Sequence, residues 1–292
     1  MPQIREIKRR MKSINNTAKV THAMELVAAA KMRKSQQKAL LARPYTINLH
    51  QIIAELRPQT HKKIHNLLKT NNSNTSMVIL LTSDRGLVGG LNLNVFRLLT
   101  SYQDQHQITR PKLVVVGKKG LSLTARTGGD VIASFGSEEI PFLDLARTIT
   151  KLAIDSFLAS EVASVFILYP NYESTVKQTP TIEKLLPIDL KLESATSQGV
   201  QETNSQMPDF LFEPSADQIL EELLPHHILT RVYQKLLEAK ASEHSATMVA
   251  MKNATDAAND LVDDLTLTYN QARQEAITKE LLDIVTAQSA FN

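Results

Sequence analysis

The sequence predicts an α/β protein whose two ends pair as a long antiparallel two-helix coiled coil, with an α/β domain between them. Two observations predict the coiled coil: apolar residues recur every three or four positions at both ends, and both ends lack glycine and proline over long stretches. A third observation predicts the domain, because buried-type strands alternate with amphipathic helices in the middle of the chain.

The N-terminal segment is predicted as one long helix. No glycine or proline occurs from Gln3 to Arg43, and we expect the helix to reach about Leu56, with Pro44 as a candidate kink. At 1.5 Å per residue such a helix measures roughly 80 Å, far more than an ordinary globular helix. Its apolar stripe consists of Ile4, Ile7, Met11, Ile14, Ala18, Met24, Val27 and Ala28.

The C-terminal segment is predicted as a second long helix. No proline follows Pro225 and no glycine follows Gly199, so His226 to about Ala287 can form one helix of roughly 90 Å. A helix of this length needs a partner for its apolar stripe, and the nearest partner is the other terminal helix. The stripe consists of Leu261, Leu265, Thr268, Ala272, Ala276, Leu281 and Ile284.

The charges of the two ends are opposite. Residues 1–40 hold ten Lys or Arg and two Glu, a local charge of +8, whereas residues 255–292 hold two basic and seven acidic residues, a local charge of −5. The whole-chain value of +3 hides this polarity, which favours pairing of the two ends.

The middle of the chain is predicted as a parallel, Rossmann-like sheet with crossover helices. The strands are Met77–Thr82, Lys112–Gly117, Val131–Phe135 and Ser164–Tyr169, and the helices are Leu91–Tyr102, Gly120–Arg126 and Phe142–Leu158. A hairpin arm over Glu173–Leu190 is expected to pair with Phe210–Glu213 across a mobile polar loop, Glu193–Pro208. Three segments result: an N-terminal coiled-coil helix at 1–60, a central α/β domain at 75–215 and a C-terminal coiled-coil helix at 216–292.

Composition excludes several classes of protein. Of the 292 residues 42% are hydrophobic, enough for a real core. The chain contains no cysteine, which excludes disulfide frameworks, thiolate metal sites and cysteine nucleophiles. No signal peptide is evident and no apolar run approaches a membrane span, so we expect a soluble chain that reaches a membrane only through partners.

The glycine-rich loops are better explained as structure than as ligand sites. The loop Ser83–Asn92 follows a strand and opens a helix, where phosphate loops lie, but it contains neither GxGxxG nor GxxxxGK[ST]. We interpret it as a tight turn with Asn92 near the helix start, and Gly117–Gly120 as another turn.

Histidines and paired acids give no stronger candidate. His61 and His65 have a spacing that could bind a metal but lack a third ligand, and His226 and His227 look like ordinary first-turn residues. The neighbouring pair Asp263–Asp264 points to different helical faces, a poor start for paired-carboxylate catalysis. The sequence therefore predicts no catalytic residue, no cofactor and no metal site.

Eight signature segments are distributed along the chain from end to end. They are Ile4–Arg10, Ala23–Arg33, Ser83–Gly86, Phe212–Pro214, Glu238–Glu243, Met248–Asp256, Tyr269–Gln274 and Ile277–Leu281. Together these segments resemble the gamma subunit of F-type ATP synthases, and the two helical signatures are highly specific.

That resemblance implies a non-catalytic rotor of the bacterial type. In the family the terminal helices form an antiparallel coiled coil inside a hexamer of alpha and beta subunits, while the α/β domain contacts epsilon and the membrane ring of c subunits. Ion flow turns the ring, and the shaft carries this rotation to catalytic sites on beta. A bacterial member lies peripherally on the cytoplasmic face of the plasma membrane.

The resemblance also implies a set of contacts with beta. Arg273, Gln274 and Thr278 match positions that engage a loop of beta, where Arg supplies a directional, charge-assisted contact. Cations of the N-terminal helix would face acidic segments of beta, although each of them is also explained as a solvated surface charge. These cations are Lys8, Arg9, Lys31, Arg33 and Lys34.

Four positions depart from the family pattern. Thr247 stands where an Arg is usual, which affects one expected shaft-to-head contact. The others are His22 for a common Lys, Ala257 for the usual Asn and Val88 for a frequent Cys.

Two other functions fit parts of the sequence. The basic N-terminal helix could lie along nucleic-acid phosphates, but aromatic residues make up only 5% of the chain and no recognised binding module is present. A nucleotide-dependent enzyme could be built on the α/β middle. Tight, steeply salt-dependent DNA binding would favour the first, and tight ATP or NAD binding would favour the second.

Overall fold

The computed structural model describes residues 2–59, 65–71, 73, 75–106, 110–137, 140–188 and 215–290. The chain forms two compact units. We call residues 1–30 with 247–292 the coiled-coil unit and residues 31–246 the sheet unit.

Helices and strands follow the predicted order. The helices are α1 (Pro2–Gln59), α2 (Leu91–His106), α3 (Lys118–Thr127), α4 (Phe142–Leu158) and α5 (Ala216–Ala290), with a short 3-10 helix at Asn66–Leu68. The strands are β1 (Ser76–Leu81), β2 (Lys112–Val116), β3 (Asp130–Phe135), β4 (Ser164–Tyr172) and β5 (Gln178–Leu186).

The coiled-coil unit is antiparallel, as predicted. The hydroxyl oxygens of Thr21 on α1 and Thr255 on α5 lie 2.7 Å apart. Closer to the start of α1, Met11 lines a groove together with Val262 of α5, so the residue numbers rise along one helix as they fall along the other. The less exposed positions alternate in steps of three and four, which is the heptad pattern of a coiled coil. They are Ile4, Ile7, Met11, Ile14, Ala18, Thr21, Glu25 and Ala28 on α1, and Met251, Thr255, Ala258, Val262, Leu265, Tyr269, Ala272 and Ala276 on α5.

Part of the predicted apolar seam was wrong. On α1 the strict three-four alternation passes through Thr21 and Glu25, so Met24 and Val27 lie off the seam and are exposed. On α5, Val262 and Tyr269 take the places predicted for Leu261 and Thr268. Leu281 and Ile284 are exposed for a different reason. The pairing of Thr21 with Thr255 brings the start of α1 level with about residue 274, so no α1 residue faces them.

The sheet unit contains one five-stranded sheet in the order β3-β2-β1-β4-β5. The first four strands are parallel, and Ile79 at the centre of β1 pairs with Val114 of β2 and Ile167 of β4. This is the strand order of a Rossmann fold, and it agrees with the predicted Rossmann-like domain. β5 runs antiparallel to β4 and forms a hairpin with it, a pairing that the sequence did not predict. The predicted partner Phe210–Glu213 and the loop Glu193–Pro208 lie outside the described residues.

Each face of the sheet is covered by helices. Strand residues alternate between the faces, so that Met77, Ile79 and Leu81 enter one core while Val78 and Leu80 enter the other. α2 covers the smaller core through Val95 and Leu99. The larger core receives α4, the second half of α1 and the first part of α5; their most buried contributions include Ile53, Leu56, Leu145, Ile149, Phe157, Leu224, Ile228 and Val232.

This packing explains why the helix start predicted at His226 was wrong. The helix begins at Ala216, ten residues before His226, and passes through Pro225. An internal proline costs about 3 kcal/mol, and full burial of a leucine contributes about 1.5–3 kcal/mol. Leu220 and Leu224 are both buried in the larger core, so their burial offsets the proline. His227 is consequently an interior helical residue and is buried, contrary to the first-turn interpretation.

Candidate partner-contact site

The crevice at the carboxyl ends of the strands, where Rossmann folds bind ligands, is filled by α5. Its strand side consists of Thr82, Ser83 and Ser137, and its opposite side includes Lys240 and Glu243 of α5. Those two α5 side chains form an ion pair of 2.9 Å, and both are nearly buried. The remaining cavity measures about 20 Å³, the size of a single water site.

The loop Ser83–Asn92 is the tight turn that the sequence predicted. Asn92 accepts a hydrogen bond from the Ser83 backbone N–H at 3.1 Å and donates one to the Ser83 hydroxyl at 2.8 Å. Asp84 accepts from the Lys118 backbone N–H at 3.0 Å and from the Ser137 hydroxyl at 2.7 Å. These polar groups are therefore engaged in holding the loop.

The Gly117–Gly120 segment differs from its prediction as a turn. Residues 118–120 form the first turn of α3, and Gly117 precedes the helix with φ of 101°. The prediction missed that Gly120 lets α3 begin directly against β1. A Cβ at Gly120 would lie 2.5 Å from the Thr82 hydroxyl oxygen, and the Gly120 N–H donates to that same oxygen at 2.9 Å.

Histidines and acids form no metal cluster within the described ranges. His65 accepts a hydrogen bond from the Leu67 N–H at 3.1 Å, and partial burial lowers the pKa of its imidazole. His61 lies outside the described residues. No helix in the part of the chain that the structure describes has the length and apolarity to cross a membrane.

The predicted contact residues of α5 lie on its surface in the coiled-coil unit. Arg273, Gln274 and Thr278 are all exposed. Gln274 and Thr278 are four residues apart, and they line one shallow groove together with Lys279 and Leu282. Arg273 points about 100° around the helix from Gln274.

The predicted contact residues of α1 fall into two groups. Lys8 and Arg9 belong to the coiled-coil unit and line a groove with Arg5 and Lys12, which gives this stretch four neighbouring cations. Lys31, Arg33 and Lys34 belong to the part of α1 in the sheet unit, and all three are exposed.

A partly buried charged cluster in the sheet unit was not predicted from the sequence. Its centre is Glu183 of β5, which accepts hydrogen bonds from Tyr169 of β4 and from Arg231 of α5, the latter at 3.2 Å. Lys235 of α5 lies 2.9 Å from the Glu183 carboxylate and 2.7 Å from the Tyr169 hydroxyl. Burial raises the pKa of Glu183, but Lys235, Tyr169 and Arg231 outweigh it, so the net pKa lies below the ordinary value. Burial, followed by the charge of Glu183, raises the pKa of Tyr169.

These features define the class of protein: a coiled-coil protein with a Rossmann-like domain whose ligand crevice is occupied by a part of its own C-terminal helix. A family model described as ATP synthase matches residues 3–291. The ATP synthase gamma chain of Opitutus terrae is 40% identical to this chain, in an alignment that covers 99% of each sequence. The ATP synthase gamma chain of an Acidovorax species is 38% identical, and the alignment covers 98% of each sequence. The chain belongs to the ATP synthase gamma-chain family.

Solved structures show the same fold. The rotor of the Euglena gracilis mitochondrial ATP synthase matches 94% of this chain and 99% of its own, with a TM-score of 0.65 and 18% identity. The central stalk and c-ring structure of the Tetrahymena thermophila enzyme matches 80% of this chain and 99% of its own, with a TM-score of 0.58 and 20% identity. As a gamma chain, this protein is a central-stalk rotor subunit and is not itself catalytic, because catalysis in ATP synthase takes place on the beta subunits.

Proposed function

We propose that this chain couples ion transport through a ring of c subunits to ATP synthesis or hydrolysis in a hexamer of alpha and beta subunits, with epsilon as a further partner. The names of related structures support these partners, since they describe a rotor and an assembly of OSCP, F1 and c-ring. The bacterial relatives support a peripheral location on the cytoplasmic face of a bacterial plasma membrane.

The observation that carries the proposal is the unequal surface of the coiled-coil unit. α1 presents the cations Lys8 and Arg9, whereas α5 presents the exposed acids Asp256, Asp260 and Asp263. Turned inside a threefold hexamer, this unit would offer a different face to each of three chemically identical sites. Differential contacts of this kind are what an allosteric ligand needs in order to bias identical sites toward different states.

We further propose that different segments of the chain contact different partners. The helical segments 1–60 and 216–292 would contact the hexamer, and the central segment 75–215 would contact epsilon and the c-ring. The contacts with beta would be made by the α5 residues Arg273, Gln274 and Thr278 and by the five α1 cations named above.

Co-expression tests the proposed assembly. When the chain is produced together with alpha and beta subunits from the same genome, we expect it to elute with the hexamer in size-exclusion chromatography. The hexamer expressed alone and the chain expressed alone are the controls. An intact hexamer peak that lacks the chain would contradict the proposal.

Replacing Arg273 by alanine is expected to lower coupled ATP synthesis about tenfold while assembly stays normal, because a charge-assisted hydrogen bond is worth about 1.5–3 kcal/mol. The side chain is exposed, so stability should change by only about 0.5 kcal/mol or less. Synthesis by membrane vesicles carrying the assembled complex is the measurement.

Two further variants show whether the charge or the shape of the Arg273 side chain matters. Arg273→Lys keeps the positive charge but lacks the planar guanidinium, so its rate of ATP synthesis should lie between those of the wild type and the alanine variant. Lys252→Ala removes another exposed cation from α5 and should leave synthesis unchanged. Normal ATP synthesis in the alanine variant would remove Arg273 from the contact set.

A further inference from the structure

Two sets of polar contacts join α5 to the β4–β5 hairpin inside the sheet unit. The first is the cluster in which Glu183 of β5 meets Arg231 and Lys235 of α5. The second lies at the turn of the hairpin. There the Ser245 hydroxyl of α5 donates to the Thr175 carbonyl at 2.6 Å and accepts from the Gln178 side-chain amide at 3.3 Å.

The α5 residues of both sets share one face of the helix. Arg231, Lys235 and Ser245 are the residues that contact the hairpin. Glu238 and Ser242, which belong to neither set, lie between them, so that the five residues follow one another in steps of four and three and share a single stripe. The stripe spans about 21 Å of helix from Arg231 to Ser245. The hairpin is therefore bonded to α5 near both ends of this stripe.

The stripe is polar although most of its surface is removed from solvent. Lys235 is 14% exposed and Glu183 25%, and Ser242 and Ser245 are fully buried. The neighbouring ridge of α5 packs against the larger core with Leu224, Ile228 and Val232. Buried ion pairs are often no more stabilising than apolar residues of the same volume, so stability alone does not account for the stripe.

The polar stripe supplies directional contacts, which the apolar ridge does not. Apolar contacts are non-directional, and a helix that packs only through them can turn or slide by a small amount with little loss. The hydrogen bonds to Glu183 and Ser245 require fixed donor and acceptor positions, so even a small rotation of α5 breaks them.

We propose that the Glu183 cluster and the Ser245 contacts form a lock that fixes α5 against turning and sliding on the β4–β5 hairpin. This inference rests on the proposed coupling function. Torque applied to the α/β domain then reaches α5 through directional bonds as well as through packing. Lys235 and Glu183 act as positioning residues, because they hold α5 and touch no reacting group.

Hydrogen exchange of the isolated full-length chain tests the lock itself. Glu183→Gln keeps the shape of the side chain but removes its charge, and it should speed exchange of α5 amides 231–245 about tenfold, as expected for loss of a charge-assisted hydrogen bond. Tyr169→Phe removes one hydroxyl and supplies a milder variant, with a smaller effect in the same amides. Glu161→Gln breaks the exposed 2.8 Å pair with Lys112 and is the matched control, with no effect expected in α5.

Ion pumping by the assembled complex tests the coupling role. Glu183→Gln should leave ATP hydrolysis within about twofold of wild type, because Glu183 touches no catalytic group, while ions pumped per ATP fall several-fold at high opposing gradient. Unchanged exchange in α5 would overturn the lock, and faster exchange with unchanged pumping would overturn its role in coupling. Failure of the wild-type chain to join the hexamer would instead contradict the proposed coupling function. The exchange experiment uses the isolated chain, so its result does not depend on that assembly.

Discussion

Replacing Gly117 by alanine is expected to destabilise the sheet unit by about 3–5 kcal/mol, from backbone strain and overpacking together. Gly117 has φ of 101°, a conformation that residues with a Cβ rarely adopt. An added Cβ would also lie 2.3 Å from the carbonyl oxygen of Thr82, the residue that follows β1; this is a backbone atom, so it cannot move aside without shifting the chain. Chemical denaturation followed by circular dichroism measures the loss.

The control is a second glycine, Gly90, which also lies in a loop at the carboxyl ends of the strands. At Gly90 an added Cβ would meet only the Asn94 side chain, at 3.6 Å or more. Gly90→Ala should therefore change the free energy of unfolding by about 0.5 kcal/mol or less. If both substitutions changed the free energy of unfolding equally, the close approach of Gly117 to the end of β1 would not contribute to stability.

Replacing Phe157 by alanine should cost about 3–5 kcal/mol, the usual price of removing a buried aromatic side chain. Phe157 lies near the end of α4 with 1% of its surface exposed, inside the larger core. The cavity would open beneath the same core that anchors α1 and α5, so we expect both helices to lose hydrogen-exchange protection within the sheet unit.

The residue next to Phe157 is the matched control. Leu158 is 49% exposed, and Leu158→Ala removes apolar volume from the same helix end without opening a cavity. It should cost about 1 kcal/mol or less. If both variants lost equal stability, the core assigned to α4 would be wrong.

The sequence predicted the elements well because their signals are local. The lack of glycine and proline from Gln3 to Arg43 predicted most of α1, and the alternating strands predicted the parallel part of the sheet. The seam was predicted less well, because polar Thr21 and Glu25 occupy heptad positions while apolar Met24 and Val27 do not. The start of α5 was missed because its stability comes from a tertiary core, which overrides the local signal of Pro225.

The candidate site was predictable in part. The turn at Ser83–Asn92 could be assigned because phosphate loops require glycine and lysine at positions where this loop lacks them. The cluster around Glu183 could not, since Glu183 and Lys235 are far apart in sequence and neither belongs to a local motif. The eight proposed beta contacts come from resemblance alone, because an exposed side chain such as Arg273 has the same local signature whether it meets water or a partner.

The α5 residues in the strand-end crevice act as a permanently attached ligand. In a nucleotide-binding Rossmann domain that position is filled or empty according to the concentration of a diffusing molecule. Here Lys240 and Glu243 are tethered to the domain that they occupy, so their local concentration is high and independent of the cell's metabolites. The crevice is therefore occupied by α5 at all times, and a change in nucleotide concentration does not change what fills it.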